Sequence, residues 1–268
     1  MSSGFWQETR IQTWRWFLHT RRRPIVVISG LFQPLIWMTL FVLVLKDSMG
    51  PVIGMPYLDF VTPGALLFTA FNASLNAGVP LLFDRELGFL DRLRVAPLAD
   101  RYSIVLSSAI HIAAITLLQC AAILLAAFAI GVRFHGGLSG ALTGLAALLL
   151  VILGFTAVSL GLAFQFRRHF EMIAVVMIVA LPLVFLSSAF APLERLPEWL
   201  RGLVLLNPVT LAVEPLRLVF TDPEWTFSTP LATTWLGTPT PAACFAGLGL
   251  FTLFAGLWSR RVLRRKLA

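Results

Sequence analysis

LSGALTGLAALLLVILGFTAVSLGLAFQF, residues 138–166, contains no charged side chain. A helix that crosses a bilayer needs about 20 consecutive, mostly apolar residues, and this stretch is longer than that. Five further stretches meet the same requirement. In chain order, the six predicted spans are 25–45, 58–82, 103–132, 138–166, 172–191 and 240–258. The sequence therefore predicts an all-α polytopic membrane protein with six transmembrane helices.

The composition of the whole chain supports the same class. Of its 268 residues, 58% are hydrophobic and 13% are charged, and the mean hydropathy is +0.85. A soluble domain carries about 25% charged residues. This chain therefore has too little polar surface to cover itself in water. Cys120 and Cys244 both lie in apolar runs, where we expect small buried side chains.

Basic residues are distributed unevenly between the segments that join the predicted spans. Loops on the cytoplasmic side of a membrane carry an excess of Lys and Arg. With the N-terminus in the cytoplasm, 16 of the 21 basic residues fall on that side. We therefore expect a multi-pass protein of the plasma (inner) membrane with both termini cytoplasmic. This topology accounts for the net charge of +8, so no nucleic-acid partner is needed to explain it.

Residues 1–24, before the first predicted span, suggest an amphipathic helix. Ile11 and Trp14 share one face, while Glu8 and Arg15 lie on another. Trp side chains are common at the boundary between membrane and water. We predict an interfacial helix on the inner leaflet. The alternative is a basic flank that only enforces topology.

FDRELGFLDRLRVAPLADR, residues 83–101, is strongly polar and lies between the second and third predicted spans. Asp84 is a candidate N-cap for a short helix, and Pro97 would end it. Phe83, Leu87 and Leu90 recur at helical spacing and would form one apolar face. Two interpretations remain open on these grounds. The helix either connects two spans while resting on the bilayer, or it inserts into a hydrophobic groove of a soluble partner.

Three motifs resemble the permeases of type-2 ABC exporters, the ABC-2 membrane-protein family. The first is the polar loop itself, with its Phe, Arg-Glu, Gly and Leu-Asp-Arg-Leu pattern. The second is TPGALLF at 62–68, and the third is FLSSAFAPLERLPEWLRGLVLLNPVTLAVEPLR at 185–217. They occur in the family's order from about residue 60 to 220. The six-span plan covers the whole chain.

The resemblance implies that residues 83–101 form a coupling segment that docks on a separate ATPase subunit. Its implied coupling residues are Phe83, Arg85, Glu86, Leu87, Gly88, Leu90 and Arg92. Two copies of the ATPase would pair with two copies of this chain, and ATP and Mg²⁺ would bind to the ATPase. The chain itself would be a transport subunit and not an enzyme. A phosphate-binding Walker A loop needs Gly-Lys, but neither Lys46 nor Lys266 follows a glycine.

Residues 195–220 suggest two short helices separated by Asn207-Pro208. The resemblance implies that they re-enter the membrane and form a lid over the exit of the pathway. In that arrangement the Asn207 amide would bind carbonyl groups freed by the break, and Glu214 would lie near Arg217. The alternative is a pair of helices lying flat on the outer leaflet.

Polar residues inside the spans offer few candidates for a site. Asn72 and Asn76 share a face of the second span, so we predict that they line the pathway or the wall of a dimer. His111 is expected to bond to a neighbouring helix, since no carboxylate lies within the spans to pair with it. Neither a catalytic constellation nor metal-ligand spacing is evident, and no cofactor is expected on this chain.

These patterns favour an exporter of drugs or lipids that binds lipid, dimerises and couples to an ATPase. A permease for polysaccharides or lipid-linked glycans is the alternative, because the 22 Phe residues would also suit stacking on sugars. A membrane assembly protein that transports nothing belongs to a different class. An ion-coupled carrier is disfavoured by the lack of intramembrane carboxylates and of an internal repeat.

Overall fold

The computed structural model describes residues 3–88, 102–231, 233–234 and 237–267. Its helices are α1 (Ser3–Arg22), α2 (Pro24–Ile53), α3 (Tyr57–Leu75), α4 (Val79–Glu86), α5 (Tyr102–Ile130), α6 (Gly137–Ala163), α7 (His169–Phe185), α8 (Glu198–Leu205), α9 (Pro208–Thr221) and α10 (Pro241–Leu267). A 3₁₀ turn, Leu193–Arg195, precedes α8. Over the described ranges, extended pairing is limited to one bridge between Thr234 and Gly237. The predicted all-α polytopic class is confirmed.

Among the described residues, five segments are long and apolar enough to cross a membrane: α2, the α3–α4 pair, α5, α6 and α10. The bent α8–α9 pair would make a sixth if it counted as one broken span. At 1.5 Å per residue, the 17 residues of α7 extend about 25 Å, less than the roughly 30 Å hydrocarbon core. The described part of the chain thus has five or six candidate spans.

The predicted fifth span, 172–191, is wrong in its bounds, because α7 begins at His169 and ends at Phe185. Beyond Phe185 the backbone leaves the helix and finds partners in side chains of α9. The N–H of Ser188 donates to Thr210 Oγ1 (3.2 Å), and its carbonyl accepts from Arg217 (2.6 Å).

Helix α6 is the centre of the bundle and packs against α3, α5, α9 and α10. Its Val151 and Ile152 are fully buried. Phe155 meets Phe71 of α3 edge to face, with 4.7 Å between ring centroids. The uncharged stretch at 138–166 therefore forms the core helix around which the other elements assemble.

The second predicted span, 58–82, is interrupted between α3 and α4. A Cβ at Gly78 would lie 2.4 Å from the carbonyl oxygen of Ser159 on α6, so only glycine fits there. The Ser159 hydroxyl donates to the Leu75 carbonyl (2.6 Å) and accepts from the Gly78 N–H (2.9 Å). A side chain of α6 therefore satisfies the backbone groups that the break leaves unpaired.

Helix α1 packs along α5 and buries Phe5 and Trp16. Ile11 and Trp14 point away from the protein and are exposed. The outward side thus carries large apolar side chains beside the exposed Arg10, a mixture that suits an interfacial helix, and the membrane position of residues 1–24 stays a prediction. A hydrogen bond joins Thr20 Oγ1 to His111 Nε2 (2.8 Å). His111 is therefore bonded to a neighbouring helix, as predicted.

The two ends of the bundle differ in the elements that meet there, and the first is termed the basic end. There α4, the start of α5, the last turn of α6 and the end of α10 meet around Leu81, Ile104, Phe164 and Leu263. The other end, where α2 ends and α3, α6 and α10 begin, is called the opposite end.

Candidate functional site

The coupling segment, 83–101, begins within α4 at the basic end. The prediction that Asp84 caps a new helix is wrong, because α4 starts after the Gly78 break and contains Asp84. Asp84 instead pairs with Arg15 of α1 at 3.0 Å. Residues 89–101 lie outside the described residues, and so do the predicted roles of Leu90 and Arg92.

Arg85 and Glu86 bind the segment that joins α6 to α7. Arg85 donates to the carbonyl of Ala163 (3.0 Å) and to that of Phe166. The Glu86 carboxylate accepts from both the backbone N–H and the ring Nδ1 of His169, the latter at 2.7 Å. A cation therefore lies at the C-terminus of α6 and an anion at the N-terminus of α7, which suits both helix dipoles.

The apolar residues of the coupling segment have different surroundings. Phe83 stacks on the His169 ring with centroids 3.9 Å apart, but 40% of its surface stays exposed. Leu87 is 78% exposed. Gly88, just after α4, has a φ of +70°, a left-handed conformation that favours glycine. Phe83 and Leu87 are thus available to a partner, whereas Arg85 and Glu86 are engaged within the chain.

A groove runs between α2, α3 and α7. It is lined by Gln33, Trp37, Phe41, Phe68, Asn72, Met177, Ala180, Leu181, Val184, Phe185 and Phe190. Asn72 Nδ2 donates to Gln33 Oε1 at 3.5 Å, so two amides lie together in a lining that is otherwise apolar. Asn76 is placed differently: it ends α3, and its amide donates to the Asn72 carbonyl (2.9 Å). The structure brings Asn72 to this groove, but not Asn76.

Asn207 lies at the break between α8 and α9, whose axes meet at 94°. Its Oδ1 accepts from the Val209 N–H (2.9 Å), which caps α9. Its Nδ2 donates to the carbonyls of Leu183 (2.6 Å) and Leu186 (2.8 Å) at the end of α7. The Asn207 amide thus binds backbone carbonyls, but the prediction that these are carbonyls freed by the break is wrong, because they belong to the end of α7. Pro208 provides the first residue of α9, where no N–H partner is needed.

The C-terminus of α9 lies at the opposite end of the bundle, and its N-terminus lies deeper inside. Val219 lies against Gly140, near the start of α6, and Leu216 lies against Gly144 one turn further in. Leu211 lies against Gly247, well inside α10. The Asn207 break is thus at the deep end of α9.

A buried ion pair lies on α9. Glu214 and Arg217 are each 7% exposed, and Arg217 Nη1 lies 2.9 Å from Glu214 Oε1, as their spacing predicted. Arg217 also donates to the carbonyls of Ser188 (2.6 Å) and Ala189 (3.3 Å), and its guanidinium stacks 3.8 Å from the Phe60 ring centroid. Multiple hydrogen bonds of this kind make a buried charge tolerable.

The sequence motifs at 62–68 and 185–217 meet at this ion pair. A Cβ at Gly64 would lie 2.0 Å from the carbonyl oxygen of Ala189. A glycine is therefore needed for the segment after α7 to lie directly on α3.

Sequence reasoning missed three residues that the structure places at these sites: Ser159, His169 and Gln33. Ser159 and Gln33 sit singly in apolar runs, and His169 lies in a basic loop, so no spacing marks any of them. Among the described residues, no three His, Cys, Asp or Glu side chains are close enough to hold a metal ion.

Residues 7–221 match the sequence profile of the family described as ABC-2 type transporter. The chain belongs to the ABC-2 transporter family. It is 41% identical over 229 residues to a protein of Cyanophora paradoxa named as the transport permease ycf38. The aligned region covers 85% of this chain and 79% of that protein.

Two further relatives of this ABC-2 protein carry names that refer to drug resistance. DrrC of Mycobacterium tuberculosis, named as a doxorubicin resistance ABC transporter permease, is 26% identical over 213 residues, 80% of this chain and 76% of DrrC. DrrB1 of Streptomyces coeruleorubidus, named as a daunorubicin resistance ABC transporter permease, is 24% identical over 224 residues, 78% of this chain and 73% of DrrB1. The ABC-2 protein is thus a permease of an ABC transporter, and its family implies an ABC ATPase partner.

Proposed function

We propose that this ABC-2 permease is the membrane half of an ATP-driven exporter for a hydrophobic or amphipathic drug or lipid. The observation that supports this most is the groove between α2, α3 and α7. Its lining combines five aromatic side chains with the amide pair Gln33–Asn72. Apolar walls with a few polar groups suit an amphipathic molecule. The resistance named in DrrC and DrrB1 favours the same substrate class.

The energy source would be a separate ATPase that binds both ATP and Mg²⁺. Two copies of it would pair with two copies of the permease. Phe83 and Leu87, exposed at the basic end, would enter a hydrophobic groove on the ATPase together with residues 89–101. Arg85 and Glu86 would keep the coupling segment fixed to α6 and α7, so that movement of the segment reaches both helices.

The basic end would face the cytoplasm of a plasma (inner) membrane. The 16 of 21 basic residues that this orientation places in the cytoplasm support it. Substrate would then enter from the cytoplasm or the inner leaflet. The α8–α9 pair at the opposite end would form the lid over the exit, which the inward course of α9 supports.

Transport into inverted membrane vesicles tests this function. Vesicles that contain the permease and its ATPase should take up doxorubicin, or a fluorescent phospholipid, only when Mg-ATP is added. Leu87→Asp should reduce that uptake at least tenfold, since a charge replaces an apolar docking residue, while membrane insertion is unchanged.

Failure to move either probe in an ATPase-active complex would contradict export of drugs and lipids. Loss of a surface polysaccharide on deletion of the permease would then support the glycan alternative.

A further inference from the structure

Helix α7 has little contact with its neighbours along its sides. Within it, the buried side chains are Met172, Val176 and Val184, on the side that faces the bundle. Ile178 is 71% exposed on the other side. By contrast, about half of α6 is buried. Lateral packing therefore holds α7 only loosely in this chain.

Both ends of α7 are bound by polar side chains from other elements. The first backbone groups of a helix have no partner within it, and Arg168 at the N-cap position offers no side-chain bond. Glu86 of α4 binds the His169 N–H and ring instead. At the other end, the Asn207 amide donates hydrogen bonds to the carbonyls of Leu183 and Leu186.

The segment just beyond α7 is bound as well. Arg217 of α9 donates to the carbonyls of Ser188 and Ala189. The C-terminus of α7 therefore abuts the N-terminus of α9, with Asn207 bonded to both helices. The coupling segment binds one end of α7, and the α8–α9 pair binds the other.

We propose that α7 is a rod that transmits displacement between the coupling segment and the α8–α9 pair, with His169 and Asn207 as its positioning residues. A helix resists axial compression because its turns are hydrogen-bonded to one another, and Pro182 in the last turn of α7 removes only the bond to the Ile178 carbonyl. Unpaired polar groups are costly in an apolar environment, so the end contacts persist when either partner moves. Sparse lateral packing permits α7 to shift along its axis. The proposal rests on the proposed function in one respect: the ATPase is the subunit that moves the coupling segment.

Thiol labelling of the full-length permease in lipid vesicles, without ATPase, tests the rod. The background carries Cys120→Ser and Cys244→Ser, and the reporter is Val209→Cys, a fully buried position at the start of α9. Adding Glu86→Ala, which frees the far end of α7, should raise the labelling rate by a membrane-impermeant maleimide at least fivefold. Arg15→Ala is the matched control, since it removes the other ion pair of α4 without touching α7, and should change the rate less than twofold.

A second reporter separates transmission from general unfolding. Val132→Cys is buried just beyond the end of α5, and the backbone bond described for it goes to Ala127 and not to α7, so it should stay protected in the Glu86→Ala background. Because coupling between two sites is reciprocal, Asn207→Ala should in turn speed labelling of Met172→Cys from the basic end. An unchanged rate at 209, or equal increases at 209 and 132, would overturn the rod. Neither result bears on export, which the vesicle uptake assay decides separately.

Discussion

Arg217 joins three segments that are far apart in the sequence: α3 through Phe60, the segment after α7 through Ser188, and α9 through Glu214. Arg217→Ala should destabilise the fold by about 3–5 kcal/mol, because it leaves the Glu214 carboxylate buried and unpaired. Thermal unfolding in detergent measures this, with Arg133→Ala at an exposed position as the control. The double variant Glu214→Gln, Arg217→Met should recover much of the loss. Equal melting temperatures for Arg217→Ala and Arg133→Ala would contradict the structural role of the pair.

Gly78 provides a second test at the scale of one residue. Gly78→Ala would place a methyl group against the Ser159 backbone, which cannot move without shifting α6, so we expect a clear loss of folded protein. Gly249→Ala in α10 meets no atom within 4 Å and should be neutral or stabilising by up to about 1 kcal/mol. Size-exclusion profiles and melting curves compare the two. Similar behaviour of both variants would mean that the break between α3 and α4 does not lie against Ser159 of α6 as described.

Individual contacts were predictable from the sequence only where spacing marked them. Glu214 and Arg217 are three residues apart on a helix, and Asn207 precedes a proline, so their roles could be anticipated. Ser159 and His169 could not be found this way. Ser159 bonds backbone groups, and His169 bonds the Glu86 carboxylate, some 80 residues distant along the chain, and nothing local signals such a pairing.

At the scale of elements, hydrophobic runs predicted where the helices lie but not where they break. The run at 58–82 is continuous in composition, yet it divides at Gly78 because Ser159 of another helix satisfies the broken turn. The run at 172–191 stops being helical at Phe185 because Asn207 and Arg217 bind the carbonyls beyond it. The length of an apolar run can be read from one segment, whereas these breaks depend on side chains of other segments that contact it in the fold.

The re-entrant course of α8 and α9 can be tested at Leu206, beside the Asn207 break. The protein leaves 67% of this side chain exposed, so only lipid or a second permease could shield it from water. With the native cysteines replaced, Leu206→Cys should react with a membrane-impermeant thiol reagent at least tenfold more slowly than Arg195→Cys. Comparable rates at the two positions would show that α8 and α9 lie flat on the surface and form no lid.

At the scale of the whole molecule, the class and family follow from features spread over the chain. Low charge content, long apolar runs and three ordered motifs are each insensitive to local packing, and this is why they predicted the fold. The sidedness is a prediction of the same kind, from the uneven distribution of Lys and Arg. A reporter enzyme fused after Ala268 should be active only in the cytoplasm. Activity on the outer side would reverse the topology and place the coupling segment out of reach of an ATPase.

The central claim is that this ABC-2 permease works as the membrane part of an ATP-hydrolysing complex. The most direct measurement is to purify the permease from its native membranes through a tag after Ala268, then determine the mass and ATPase activity of the complex. The account predicts two permease chains with two copies of a separate protein that carries a Walker A loop, and Mg-ATP hydrolysis by the purified complex. A stable permease that purifies with no ATPase, and without ATP hydrolysis, would contradict it.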